Sequence, residues 1–156
     1  MIFATQPASA VSQIGGTAFS VDKKTAAPGD QLTLTLSLTN TEPNAISFAY
    51  VYVQPTWPTN QRTDVVTPTG CGGESVDCSY GGFNSAAAFH LTTPIPPGAT
   101  RTVTVTARIT STPAWTGSYT LNWAPYVYAE YGSTAPDFTK DGLWAGGLPE
   151  LQTVIS

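Results

Sequence analysis

The sequence predicts an all-β domain made of two packed sheets, and three observations carry that prediction. Residues Leu32-Thr33-Leu34-Thr35-Leu36-Ser37-Leu38-Thr39 and Thr102-Val103-Thr104-Val105-Thr106-Ala107-Arg108-Ile109 alternate between aliphatic and mostly hydroxyl side chains. Side chains on a strand project to opposite faces in turn, so each segment makes one apolar row and one polar row. An apolar sheet face has to be covered, and the simplest cover is a second sheet. No stretch carries a convincing helical spacing of apolar residues. Pro and Gly punctuate the chain at short intervals, 13 and 14 of them in 156 residues, as they do in sandwiches and barrels.

Taken in order, residues 1–16 are mixed in character and end in Gly15-Gly16. Ile2, Phe3, Val11 and Ile14 are spaced too irregularly for an amphipathic helix, so this stretch reads as an arm: a loose tail, or an extended strand that needs a partner. The folded domain is expected to run over 17–156. Residues 19–23 read as its first strand. Ala27-Pro28-Gly29-Asp30 is a turn, with Pro fixing φ and Gly free to go left-handed. Residues 31–39 form a half-buried strand that Asn40-Thr41-Glu42-Pro43-Asn44 ends. Residues 46–53 form a strand apolar on both faces, with Phe48, Tyr50 and Tyr52 on one and Ala49, Val51 and Val53 on the other. Such a strand is central, or lies under a further layer or a partner.

Pro55 and Pro58 stop that strand. Residues 56–85 read as a long excursion of turn residues, with one short strand at 63–67; long loops in compact domains are usually functional or stapled. Strands follow at 86–92 and, after Pro94-Ile95-Pro96-Pro97-Gly98, at 101–110. Two more, 118–123 and 126–131, meet at Ala124-Pro125, where the missing amide predicts a kink or a bulge. Residues 134–147 are turn-rich, and 151–155 can close a sheet edge.

The length suits one domain with a core of its own. Only 10% of residues are charged, against about 25% in ordinary soluble domains. The polar surface is therefore Thr, Ser, Asn and Gln. That suits secreted proteins and subunits that bury their outside in an assembly; it suits a cytosolic monomer poorly, because edge charge discourages sheet-to-sheet association. The net charge is -4 with only six Lys and Arg, which cannot build a phosphate-tracking stripe, so nucleic acid is excluded as an expected partner. No run reaches the length of a membrane helix. Met1-Ile2-Phe3-Ala4 has no basic region and too short an apolar run for a signal peptide, and the small-x-small Ala8-Ser9-Ala10 lacks the upstream parts.

Cys71 and Cys78 have six residues between them in a Gly-rich run that can bring them to bridging distance. Zinc needs about four ligands, and the single His90 leaves such a site incomplete. A disulfide pinning an inserted loop is the preferred reading, and it points to an oxidising compartment. No metal or other cofactor is expected.

The run Val21-Asp22-Lys23-Lys24-Thr25-Ala26-Ala27-Pro28-Gly29-Asp30-Gln31-Leu32-Thr33-Leu34-Thr35-Leu36-Ser37-Leu38-Thr39-Asn40-Thr41 resembles the opening of immunoglobulin-like repeat domains of secreted and cell-surface proteins in bacteria and archaea. Those domains carry a Pro-Gly-Asp turn, an alternating strand and then an Asn. Ile95-Pro96-Pro97-Gly98-Ala99-Thr100-Arg101-Thr102-Val103-Thr104-Val105 is similar to their second turn and strand. The resemblance covers about a third of the chain. It implies an immunoglobulin-like β-sandwich with an extracellular structural or adhesive role, and it carries no catalytic residues. The Cys-containing excursion and the aromatic segment after Gly117 depart from the pattern. With the spacing of the turns, the expectation is an immunoglobulin-like β-sandwich of seven to nine mostly antiparallel strands.

No catalytic group is expected. Gly-x-Ser-x-Gly is missing, and His90 lies inside an expected strand, a structural setting. Glycosidase chemistry needs two acids across a cleft, and nothing pairs Asp64, Glu74, Asp77, Glu130, Asp137 or Asp141. Residues 137–142 look faintly like a calcium loop but lack its ligand spacing. Lys23 or Lys24 and Asn122 occupy places suited to an isopeptide bond, without a mid-strand acid to promote it. Tyr119 and Trp123 share a strand face with Leu121 and read as core. Trp57, Trp115 and Trp144, in turns, are the ligand-contact candidates, since flat rings suit sugars and protein interfaces.

The leading expectation is thus an extracellular, secreted or cell-surface subunit. It self-associates with identical subunits when residues 1–16 add as a strand to a neighbouring copy, with Ile2, Phe3, Val11 and Ile14 giving the fit. The alternative is a carbohydrate-binding module whose polysaccharide contacts are exposed, coplanar Trp57, Trp115 or Trp144.

Overall fold

The structure is a computed structural model that describes residues 12–14, 16–56, 65–81, 86–111, 117–131, 139–144 and 151–156. Twelve strands lie among them: β1 (Ser12–Ile14), β2 (Thr17–Val21), β3 (Thr25–Ala26), β4 (Gln31–Thr39), β5 (Ile46–Pro55), β6 (Val66–Gly73), β7 (Ser75–Gly81), β8 (Ala86–Leu91), β9 (Thr100–Ile109), β10 (Tyr119–Tyr131), β11 (Thr139–Trp144) and β12 (Gln152–Ile155). They form an immunoglobulin-like β-sandwich. One sheet has five strands in the order β1-β2-β4-β9-β6; the other has seven, in the order β3-β12-β10-β5-β8-β7, with β11 also paired to β10. Pairing is antiparallel except between β12 and β3.

The two alternating segments form the centre of the five-stranded sheet. β4 and β9 pair in register, with Leu32 opposite Ala107, Leu34 opposite Val105 and Leu36 opposite Val103. All six are buried. The facing sheet contributes Val51, Val53, Phe89, Leu121, Trp123 and Val127 to the same core. β5 is central as expected, between β10 and β8; its Ala49, Val51 and Val53 point inward and are buried.

Both proline-glycine turns behave as their chemistry dictates. Gly29 takes a φ of 89°, its N–H donates to the Ile109 carbonyl at 3.0 Å, and the Asp30 carboxylate accepts from the Ala27 N–H at 3.0 Å. The second turn closes on Asn40. The Gly98 N–H donates to the Asn40 carbonyl at 2.7 Å, and the Asn40 N–H to the Ala99 carbonyl at 2.9 Å. The Asn40 side chain, 1% exposed, donates to the carbonyls of Asn44 and Ile95 and accepts from the Glu42 N–H. The residue that follows the alternating strand is thus a polar knot that fastens two turns at one end of the sandwich.

The structure departs from the sequence expectation in four places. The excursion holds two strands. β6 pairs with β9 and β7 with β8, so backbone pairing overrides the turn character of Gly70, Gly72 and Gly73. Residues 119–131 form one continuous strand rather than two. Along one edge β12 pairs with residues 119–122 and β11 with 126–131, and Pro125 falls in the gap, where that ladder is interrupted anyway. The turn-rich 134–147 stretch contains β11. Finally, β1 lies within the expected arm and pairs with β2 of its own chain, with Ile14 opposite Thr17. The strand count exceeds nine through these short edge pieces.

The shortest crossing between the sheets sits at Gly73-Glu74. β6 is an edge of one sheet and β7 an edge of the other, with Glu74 alone between them. Gly73 has a φ of 73°, and a β-carbon there would stand 2.5 Å from the Thr102 carbonyl oxygen, so only glycine makes this bend. The Glu74 N–H donates to the Thr102 carbonyl, and its own carbonyl accepts from the Thr92 N–H. Its carboxylate accepts from the Thr102 N–H at 2.9 Å and faces Arg101 at 3.7 Å. The Cys71–Cys78 disulfide closes over the same crossing, with the α-carbons 6.2 Å apart. The bridge therefore joins the two sheets at their edge instead of stapling a loop.

Two stability changes follow. The double variant Cys71→Ser/Cys78→Ser should unfold in urea with about 2–3 kcal/mol less stability, the loop entropy of a short cross-link, while keeping its β-sheet circular dichroism. Asn40→Ala should cost about 1–3 kcal/mol by removing the three hydrogen bonds of a buried side chain, to the Asn44 and Ile95 carbonyls and from the Glu42 N–H, and a thermal melt measures the loss.

Candidate binding face

The outer face of the seven-stranded sheet is where the chain departs most from an ordinary sandwich surface. Phe48, Tyr50 and Tyr52 alternate with the buried residues of β5. In register beside them, Tyr126 stands opposite Tyr52, Tyr128 opposite Tyr50 and Glu130 opposite Phe48. On the other flank His90 stands opposite Tyr50 and Ala88 opposite Tyr52. Cross-strand neighbours on one face stand close enough for their rings to touch. The Phe48 and His90 rings lie 5.1 Å apart with their planes at 58°. Phe48 meets Tyr128 at 6.1 Å and 69°, and Tyr50 meets His90 at 5.6 Å and 56°. These four rings form a connected chain of tilted walls rather than a coplanar platform.

Hydrogen bonds orient the phenols. The Tyr128 hydroxyl donates to the Glu130 carboxylate at 2.7 Å. That bond holds the phenol in its neutral form and raises its pKa above the ordinary tyrosine value, with desolvation and the nearby carboxylate charge adding to it. The Tyr52 hydroxyl donates to Gln54 at 3.3 Å. Burial, followed by the neighbouring Tyr52, raises the pKa of Tyr50.

At the β7 end of this face lies an open groove of about 370 Å³, lined by Phe48, Val76, Asp77, His90 and the Thr92-Thr93 backbone turn. Phe48 is 37% exposed and Val76 44%. The β7–β8 register shifts between Val76 and Ser79, and there Asp77 takes a φ of 53°. A non-glycine residue in the left-handed region costs conformational energy, and Asp tolerates it better than most. The bulge also turns its carboxylate toward His90, whose Nδ1 is 3.7 Å away.

The opposite side of the sandwich is chemically different. The outward residues of β4 and β9 pair as Thr33 with Thr106, Thr35 with Thr104, Ser37 with Thr102 and Thr39 with Thr100. Several of these hydroxyls bond one another, Ser37 to Thr102 at 3.0 Å and Thr39 to Thr100 at 2.7 Å. One face is a hydroxyl lattice and the other a ring-lined surface.

The residues expected to matter fall as follows. Cys71 and Cys78 are bridged. Ile14 lies in β1, whereas Ile2, Phe3 and Val11 lie outside the described residues, as do Trp57 and Trp115. Trp144 lies in β11, in register with Tyr126. Trp123 is fully buried, and Tyr119 packs against the core. Lys23 turns its ammonium to the Gln31 carbonyl at 2.8 Å, and the Asn122 side-chain oxygen is buried without a partner among the described residues. Among those residues no group of three His, Cys, Asp or Glu comes together to hold a metal. The ring chain itself was half visible in the sequence: both faces of 46–53 read as apolar, but the alignment with Tyr126, Tyr128 and His90 needs the strand order.

No protein-family model matches the chain, and no curated protein matches it significantly. Its fold does resemble solved structures. A Corynebacterium diphtheriae protein thought to be membrane-anchored superposes with a TM-score of 0.56 at 14% identity, over 97% of this chain and 37% of that one. The N-terminal domain of the Streptococcus gordonii adhesin Sgo0707 gives 0.55 at 12% identity, over 91% and 32%. The cohesin module of a Clostridium perfringens family 33 glycoside hydrolase gives 0.54 at 11% identity, over 93% and 98%. The chain spans well under half the length of the first two. At these identities the likeness is one of fold: a β-sandwich of the type found in bacterial surface proteins and cohesin modules.

Proposed function

We propose that this chain is an extracellular structural or adhesive module that meets a protein partner through the ring-lined outer face of its seven-stranded sheet, and that it has no catalytic activity. The observation that carries the reading is that face: Phe48, Tyr50, Tyr52, Tyr126 and Tyr128 aligned on two neighbouring strands, with His90 on a third. Tyr and Phe cover interface area with little rotamer entropy, and a surface rich in them fits a contact. The disulfide supports an oxidising compartment. The low charge supports a surface meant for contact, and the sandwich is one that adhesin and cohesin chains also use. The tilt of the rings favours a protein over a polysaccharide, which stacks on coplanar rings.

Self-association is the finer part of the proposal. β1 is held at the edge of the five-stranded sheet by three residue pairs, and the same pairing can be made with β2 of a neighbouring copy. Residues 1–14 would then exchange between copies, as strand addition does elsewhere.

Two measurements test these readings. The double variant Tyr50→Ser/Tyr128→Ser should be secreted and melt like the parent, yet lose most of its retention on the producing cells; equal retention would remove the face from the argument. Deleting residues 1–14 should bring the particle seen by light scattering down to a monomer, and an unchanged particle size would exclude exchange.

A further inference from the structure

We infer that the groove between Phe48, His90, Val76 and Asp77 is a seat for an arginine side chain of the partner polypeptide. The inference rests on the reading of the ring-lined face as a protein contact and names the chemistry of its anchor. Three observations lead to it.

The first is ring geometry. Tyr128, Phe48, His90 and Tyr50 touch in sequence with interplanar angles of 69°, 58° and 56°. Rings tilted in this way turn a π face or an edge toward the space between them. A π face attracts a cation, and a guanidinium also stacks flat upon it.

The second is charge. The groove holds the Asp77 carboxylate, 83% exposed, at one end. Glu130 lies beyond Phe48 on β10, where its carboxylate accepts from Tyr128 and Lys140 of β11 stands opposite it in register. No Lys or Arg lines the groove among the described residues. The Arg101 guanidinium is engaged elsewhere, by the carbonyls of Thr92 and Pro94 and the Glu74 carboxylate. The groove thus offers an exposed carboxylate, faced by His90 alone among the described residues, beside the Phe48 and His90 rings.

The third is the backbone at Asp77. An aspartate at a φ of 53°, beside an exposed Val76 and next to the disulfide Cys78, is held there by the bulge and the bridge. Strain of this kind is found where a side chain must be aimed. Here it aims a carboxylate across the mouth of an apolar groove, which suits an aliphatic stem lying on Val76 and Phe48 and a charged head meeting Asp77.

The test uses the whole chain and a short blocked peptide carrying two arginines, followed by nuclear magnetic resonance. The expected result is a set of shifts confined to Phe48, Val76, Asp77 and His90. Affinity should fall at least about fivefold in Asp77→Asn and in Phe48→Ala, the scale of a cation–π contact or a charged hydrogen bond. The same peptide with citrulline in place of arginine should bind more weakly by a similar factor. Asp77→Asn keeps the side-chain shape, so its loss reports charge rather than folding. Equal binding of the citrulline peptide, no shift at these residues, or shifts produced equally by choline would overturn the inference. If the peptide fails while Tyr50→Ser/Tyr128→Ser still loses cell retention, the arginine seat falls and the docking face stands.

Discussion

Two apolar sheet faces that water cannot wet have to close on each other, and the rest of the molecule is arranged around that closure. Leu32, Leu34, Leu36, Val103 and Val105 on one side meet Val51, Val53, Phe89, Trp123 and Val127 on the other. Because strand side chains alternate, burying these residues forces every second residue outward. The inner faces therefore dictate which residues reach the surface, and in which rows.

The closure is secured where the chain passes by its shortest link from one sheet to the other. Glycine at position 73 allows the bend, Glu74 ties β9 to the end of β8 through backbone and carboxylate, and the disulfide spans the two edge strands. Asn40 does comparable work through buried hydrogen bonds, fastening the loop after β4 to the turn before β9. The sandwich is held by a covalent clamp at one edge and a polar knot among its turns.

The two outer faces follow from the same parity and differ because their sequences differ. On β4 and β9 two of the outward hydroxyl pairs, Ser37 with Thr102 and Thr39 with Thr100, bond one another. The rings of β5 and β10 are left on a surface with few charges, beside a groove whose carboxylate is set by a bulge. That asymmetry gives the domain one hydroxyl-lined face and one ring-lined face, and the ring-lined face is the one on which the proposed contact rests.

Much of this was legible in the residues. β4 was expected at 31–39 and spans Gln31–Thr39; the Pro-Gly turns, the central place of 46–53 and the burial of Trp123 all follow from local chemistry and period-two patterning. The strands at Val66–Gly73 and Ser75–Gly81 were hidden, because glycines that signal turns in isolation can pair when a long neighbour such as β9 offers them a ladder. The uninterrupted run through Pro125 was hidden for a related reason: a missing amide matters only where a partner asks for it. Periodicity along the chain determined the fold class and the inward rows, since alternation is a local property. Strand order decided the rest. The nearness of Phe48 to His90 and Tyr128, and the disulfide's place across two sheets, arise between residues far apart in sequence, where only tertiary packing sets who stands beside whom.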